Sequence, residues 1–198
     1  LALDSTIAEA HTALGHALCV SEFAWEEADR SFERAIALNP TYTFGRMPYA
    51  ICLMSRNRFR DAERQLRTAQ SFDPLSPAPS NMLGRLYWTI QQPDRATPHL
   101  LQALELSPQM DLAWQVLGHA YLQKNMSAQA IDAFERAAAL SGARDSAHLA
   151  YAYAMTGQRE RAQAIVQKLI HREDRTSQLA YHIAIAYTGL GYWRERNR

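Results

Sequence analysis

Residues 114–137 read WQVLGHAYLQKNMSAQAIDAFERA. Trp114, Leu117, Gly118 and Tyr121 fall at W-x2-L-G-x2-Y spacing, and Ala130, Phe134 and Ala137 follow as A-x3-F-x2-A. Apolar residues three and four apart share one helical stripe. Glycine after the large Leu117 removes bulk, so a second helix can approach closely. The small-large-small run of Ala130, Phe134 and Ala137 repeats that logic on a returning helix.

The large-small pair recurs along the whole chain. Leu14-Gly15, Tyr49-Ala50, Leu83-Gly84, Leu117-Gly118, Leu149-Ala150 and Ile183-Ala184 give steps of 35, 34, 34, 32 and 34 residues. A self-similar period of this length signals a solenoid, in which function is spread over a surface built from many units. The unit before the quoted stretch carries Ser80, Leu83, Gly84 and Tyr87, then Ala96, Leu100, Ala103 and Pro108. Pro40, Pro74 and Pro108 close three units, because proline cannot continue a helix interior.

The pattern resembles the tetratricopeptide repeat (TPR) family, whose unit is a 34-residue helix–turn–helix. The resemblance covers essentially the whole chain. It implies an all-α, right-handed superhelical solenoid of stacked antiparallel helix pairs with about five and a half repeats. The expected organisation is a single solenoid domain over 1–198, with repeats at approximately 8–42, 43–76, 77–110, 111–142, 143–176 and a partial 177–198.

Departures from the pattern carry their own expectations. Gly15 to Ala28 is one residue longer than Gly118 to Ala130, which predicts a longer turn over Ser21–Trp25. The second unit has Arg46 where Trp114 sits, and its Pro48 predicts a late start or kink in that helix. Ser141-Gly142 replaces the proline boundary, with Gly142 as a helix cap, and Asp174 stands where the next proline falls. Leu1–Ser5 reads as the tail of a unit, and Tyr187, Gly191 and Trp193 read as the end of a sixth first helix and its turn. Both ends therefore look cut. The stripe of Leu179, Ile183, Ala186, Tyr187 and Leu190 is expected to lack a covering helix, and uncapped terminal units predict self-association.

The formal net charge is +1, yet residues 1–40 carry two arginines against seven acids while residues 143–198 carry nine basic residues against five acids. These read as solvated faces. Cys19 and Cys52 form no metal or redox motif and are expected to be buried thiols in a reducing, cytoplasmic setting. No membrane-spanning run or signal peptide is visible.

No nucleophile motif, phosphate loop or dinucleotide fingerprint occurs, so neither enzymatic activity nor a cofactor is expected. His11 and His16 are five apart, on different helix faces. His148 and His182 occupy equivalent positions in successive units, but no carboxylate or thiol joins them at ligand spacing, so no metal is expected. Arg56, Arg58, Arg60, Arg64 and Arg67 with Phe59 suggest a phosphate and base contact. Asp61 and Glu63 dilute that cluster, and nucleic acid is disfavoured.

The family resemblance implies that first helices line a concave groove holding a protein or peptide. Its inward positions correspond to Thr12 and His16, Met47 and Ile51, Asn81 and Arg85, Gln115 and His119, Ala147 and Tyr151, Tyr181 and Ile185. One subclass clamps a C-terminal carboxylate with Lys-x3-Asn, a further Asn and Lys-x3-Arg. The matching positions here are Thr12/His16, Pro48 and Ala78/Met82, so that clamp is absent. The expected contacts are Asn81, Arg85, Trp88, Gln115, His119 and Tyr151, with Arg85 and His119 exposed. Amides would bond a peptide backbone and rings would cover its side chains. The expected function is a non-catalytic protein–protein interaction module. A second reading follows from Leu14–Ala17, Phe23–Ala28, Phe32–Pro40 and Leu117–Lys124. These resemble TPR arrays of bacterial multidomain regulators, whose output domain would be a transcription regulator, cyclase or kinase absent here.

Overall fold

A computed structural model describes residues 7–141, 146–171 and 177–190, apart from the side chains of Glu22, Ser146, 177–179 and His182. Among the described residues there are eleven α-helices and no strand. In chain order they are α1 (Ala8–Ala17), α2 (Trp25–Leu38), α3 (Thr43–Ser55), α4 (Phe59–Phe72), α5 (Pro77–Thr89), α6 (Pro93–Leu106), α7 (Asp111–Gln123), α8 (Ser127–Ser141), α9 (Ser146–Met155), α10 (Arg159–Ile170) and α11 (Ser177–Leu190). Each odd-numbered helix from α1 to α9 packs on the even-numbered helix that follows, and each such pair packs on the next. The result is an all-α solenoid of stacked helix pairs.

The seam of each pair is built by its small residue. A Cβ at Gly118 would lie 2.8 Å from the Phe134 ring, and one at Gly15 would lie 3.0 Å from Phe32. One at Gly84 would overlap the Leu100 side chain. Phe32, Leu100 and Phe134 are thereby buried to 1% exposure or less. In the second and fifth units, Ala50 and Ala150 replace glycine, and the residues standing where Phe134 stands are the smaller Leu66 and Val166, also buried.

The turns inside the pairs share one geometry. Phe23, Asn57, Gln91, Asn125 and Gly157 all have positive φ, between 53° and 83°. This left-handed residue ends the helix in a Schellman-type closure. Arg58, Gln92, Met126 and Gln158 donate their N–H to the carbonyls of Leu53, Tyr87, Tyr121 and Tyr153, five residues back. In the first unit Ala24 donates to Leu18, six residues back. Leu18–Glu22 forms a π-helical turn there. The extra residue therefore does not lengthen the loop, as the sequence suggested. The helix absorbs it in a wider last turn.

Pro48 does not delay the start of its helix. Helix α3 begins at Thr43, in register with Pro77 of α5 and Asp111 of α7, so there is no late start. Pro48 sits within the helix. Arg46 explains how this unit manages without its tryptophan. Trp114 Nε1 donates to the Pro108 carbonyl, six residues back, at 2.9 Å. Arg46 Nη2 donates to the Pro40 carbonyl, also six residues back, at 2.8 Å, and its Nη1 bonds Gln65 at 2.7 Å. Both side chains satisfy a carbonyl freed where the chain crosses from one unit to the next. Burial pulls the Arg46 pKa down.

Cys19 and Cys52 are joined in a disulfide, which corrects the expectation of free thiols. Cys19 lies in the π-helical turn and Cys52 in α3, so the bond ties successive first helices. Both are buried, at 6% and 2% exposure. The sixth first helix packs back on the unit before it. Ala186 and Leu190 are buried and Ile183 and Tyr187 partly so, packed with the residues of α9 and α10. Ala184 and Tyr181 are exposed positions of α11. Leu1–Ser5, Gly142, Asp174, Gly191 and Trp193 lie outside the described residues, as does the Leu179 side chain.

The cross-link and the seam each set a measurable stability. In the chain-entropy account, a disulfide at this separation of 33 residues contributes about 3–4 kcal/mol. Reduction with a phosphine should lower the denaturation midpoint, and Cys19→Ala/Cys52→Ala should start low and ignore reductant. A midpoint indifferent to reductant, with two titratable thiols in the native protein, would contradict the bond. At the seam, Gly118→Ala should destabilise by about 1–3 kcal/mol through overpacking. Adding Phe134→Val recreates the Ala150/Val166 pair, so a double-mutant cycle by chemical denaturation should give favourable coupling of about 1 kcal/mol. Strict additivity would refute the contact.

Candidate functional site: an aromatic cleft on the first helices

The first helices of units three to six enclose an open cleft of about 600 Å³. Helix α5 contributes Arg85 and Trp88; α7 contributes Leu112, Gln115, Val116 and His119. Helix α9 supplies His148 and Tyr151, and α11 supplies Tyr181, Ile185 and Thr188. Five of the six residues singled out from sequence, Arg85, Trp88, Gln115, His119 and Tyr151, therefore line one cavity. Asn81 does not line it. It is buried at 7% exposure, with its Oδ1 lacking a hydrogen-bond partner. The cleft opens at the irregular step. Helices α9 and α11 approach closely, helped by Gly189, where a Cβ would lie 3.0 Å from the Tyr151 backbone. The backbones of α7 and α9 come less close, and side chains span the gap.

Those side chains form a diagonal stack. Trp88 stacks on His119 with ring centres 5.3 Å apart. His119 Nε2 meets His148 Nδ1 at 3.2 Å, a hydrogen bond in which one imidazole donates. Trp88 and His119 are 31 residues apart, and His119 and His148 are 29 apart. Each contact thus falls about one helical turn short of the local stride of 34 or 32. The sequence reading paired equivalent positions, His148 with His182, and so missed the partner one turn away. Adding that one-turn offset to the stride would have found it. The His182 side chain is outside the described residues.

His119 is half-buried, not exposed as expected, and so is Arg85. The Phe134 ring lies edge-on to the His119 imidazole at 4.9 Å, and Tyr151 is 5.9 Å away. Burial, reinforced by His148, pushes the His119 pKa down to about 4. His119 is therefore neutral near pH 7 and acts as a ring surface and hydrogen-bonding group, not a cation. Among the described residues, no three metal-ligating side chains converge.

The arginine cluster lies elsewhere, beside a shallow depression of about 460 Å³ around Asn57–Asp61 and Ile90. Arg56 and Arg58 both bind Asp29, Arg64 binds Asp61 at 2.7 Å, and Arg67 binds Glu63 at 2.8 Å. The carboxylates thus hold these guanidinium groups in ion pairs, including Asp29 from the previous unit.

The tetratricopeptide repeat family model matches residues 50–111 and 81–147. Solved structures match at fold level. PilF of Pseudomonas aeruginosa is 19% identical with a TM-score of 0.71, covering 91% of this chain and 83% of its own. A thermophilic TPR protein from Thermus thermophilus is 19% identical with a TM-score of 0.73, covering 89% of this chain and 99% of its own. YrrB, described as a TPR protein with an unusual peptide-binding site, is 18% identical with a TM-score of 0.62, covering 90% and 92%. At these identities the likeness shows the fold alone. A search of curated proteins found no match.

The imidazole pair makes a pH prediction. A folded-state pKa below the unfolded value of about 6.5 means the unfolded chain binds more protons, so stability falls as pH drops through that window. For His119 the loss should develop from about pH 6.5 down to about pH 4 and reach on the order of 3 kcal/mol. Histidine NMR titration should show His119 neutral at pH 5.5. A midpoint near 6.5 would mean the ring is solvated.

Proposed function

Since the chain belongs to the tetratricopeptide repeat family, a family of protein–protein interaction modules, we propose that this protein binds an extended segment of a partner protein in the cleft between α5, α7, α9 and α11. The observation that carries this reading is the cleft itself: aromatic and apolar walls of Trp88, Tyr151, Tyr181 and Ile185, with Gln115 and Thr188 among them. Rings cover side chains of a bound chain, and amide and hydroxyl groups bond its backbone. The lining comes from first helices, the helices that the family resemblance implies for the ligand-holding concave side. Arg85, Trp88, Gln115, His119 and Tyr151 are the contact residues in this proposal; Asn81, buried and outside the lining, is not one of them. No catalytic role is assigned to any of them.

The disulfide bears on where this happens. Bonds of this kind persist in oxidising compartments and are rare where glutathione and thioredoxin keep thiols reduced. The buried Cys19–Cys52 bond therefore favours an oxidising compartment over the expected cytoplasm. No helix among the described residues is long and apolar enough to cross a membrane.

Selection of a random peptide display library on the immobilised chain tests the groove. It should yield peptides that bind with micromolar affinity and lose roughly tenfold or more on Tyr181→Ala or Trp88→Ala, about 1.4 kcal/mol or more. Tyr181 is 64% exposed, so its replacement should leave the thermal midpoint nearly unchanged. An empty selection, or binders indifferent to both substitutions, would refute the site.

A further inference from the structure

Resting on the groove reading, we infer that the cleft selects a segment bearing a single carboxylate beside an apolar or aromatic side chain, and that Arg85 sets this specificity. Arg85 is the one formally charged side chain at neutral pH among the described residues lining the cleft, and none of them is Asp or Glu. His119, which lines the same cleft, is held neutral by its burial.

Arg85 also differs from the arginines that are already ion-paired. Arg56, Arg58, Arg64, Arg67, Arg95 and Arg136 each hold a carboxylate. Arg85 has no carboxylate partner among the described residues; its Nη1 reaches the Met82 thioether at 3.6 Å. Arg85 thus borders the open cleft with no anion of its own among the described residues. A carboxylate from a ligand would form a charge-assisted, fork-shaped pair of hydrogen bonds with it.

The size of the charge and its surroundings narrow the partner further. A phosphate dianion calls for a cluster of cations, and the cleft offers one. The Trp88–His119 stack and Tyr151 lie along the same cavity, so the carboxylate's neighbour is an apolar or aromatic side chain. The imidazole pair does not favour a metal ion instead. The two facing nitrogens are spent on each other, and a cation there would share the cleft with Arg85.

The display selection described above also tests this inference. Selected peptides should be enriched in Asp or Glu next to an aromatic or branched apolar residue. Repeating the selection on Arg85→Glu should replace acidic residues by Lys or Arg. One selected peptide, synthesised with Glu→Gln and with free or amidated C-terminus, identifies whether the carboxylate is a side chain or a chain end; the matching change should cost roughly tenfold in Kd by fluorescence anisotropy. Arg85→Gln, checked for an unchanged thermal midpoint, should show the same loss and stands in if Arg85→Glu does not fold. Tyr181-sensitive binders with no acidic enrichment, unaffected by Arg85→Gln, would overturn the inference and leave the groove standing. No binders at all would overturn both.

Discussion

The whole array depends on one steric relation, a missing side chain opposite a large one. Gly118 against Phe134, and the same arrangement at Gly15 and Gly84, lets the two helices of a unit close until the large residue is sealed from water. Burying a Leu or Phe side chain contributes about 1.5–3 kcal/mol relative to exposure. That gain is repeated from unit to unit, and each unit also leans on the next. A solenoid has no single centre, so its stability is close to a sum of such local terms and interfaces. The Ala50/Leu66 and Ala150/Val166 positions keep the relation by trading a methyl on one side for bulk on the other.

Given stacked units, the cleft follows from their largest irregularity. The step from the fourth to the fifth unit is 32 residues, and there α7 and α9 are joined by His119, His148 and Tyr151 more than by backbone approach. The rings rest on Phe134, which links the floor of the cleft to the seam beneath it. Packing and site chemistry are therefore coupled. The same aromatic floor that buries the seam also strips water from the imidazole and keeps it uncharged.

Much of this was legible in the amino-acid sequence because periodic spacing is a direct image of helix packing. Small residues a fixed stride apart identified the seams, and positions on the first-helix face identified seven of the cleft-lining residues, Tyr181 and Ile185 among them. The illegible part depends on contacts between units, where the register shifts. His119 meets His148, not an equivalent histidine, because neighbours are offset by one helical turn. Asn81 sits at an inward motif position yet is packed away, since burial depends on the neighbouring helices and not on the motif alone. Cys19 and Cys52 are 33 residues apart, two short of the 35-residue step between their units. That near-match was the available hint that they face each other on parallel helices, and no spacing motif for cysteine covers it. Arg46 was read as a departure, although it supplies the same carbonyl donor as Trp114 by different chemistry.

The π-helical turn at Leu18–Glu22 has a wider implication for how such arrays tolerate change. An added residue that stays inside one helix turn re-aims only the side chains after it, and the left-handed residue at Phe23 hands the chain on in the usual direction. The added position stays within that turn: α2 still packs on α1 and on α3, as the corresponding helices of later units do, and the altered turn gains a fresh side-chain heading. Here that new heading is occupied by a cysteine already facing its mate.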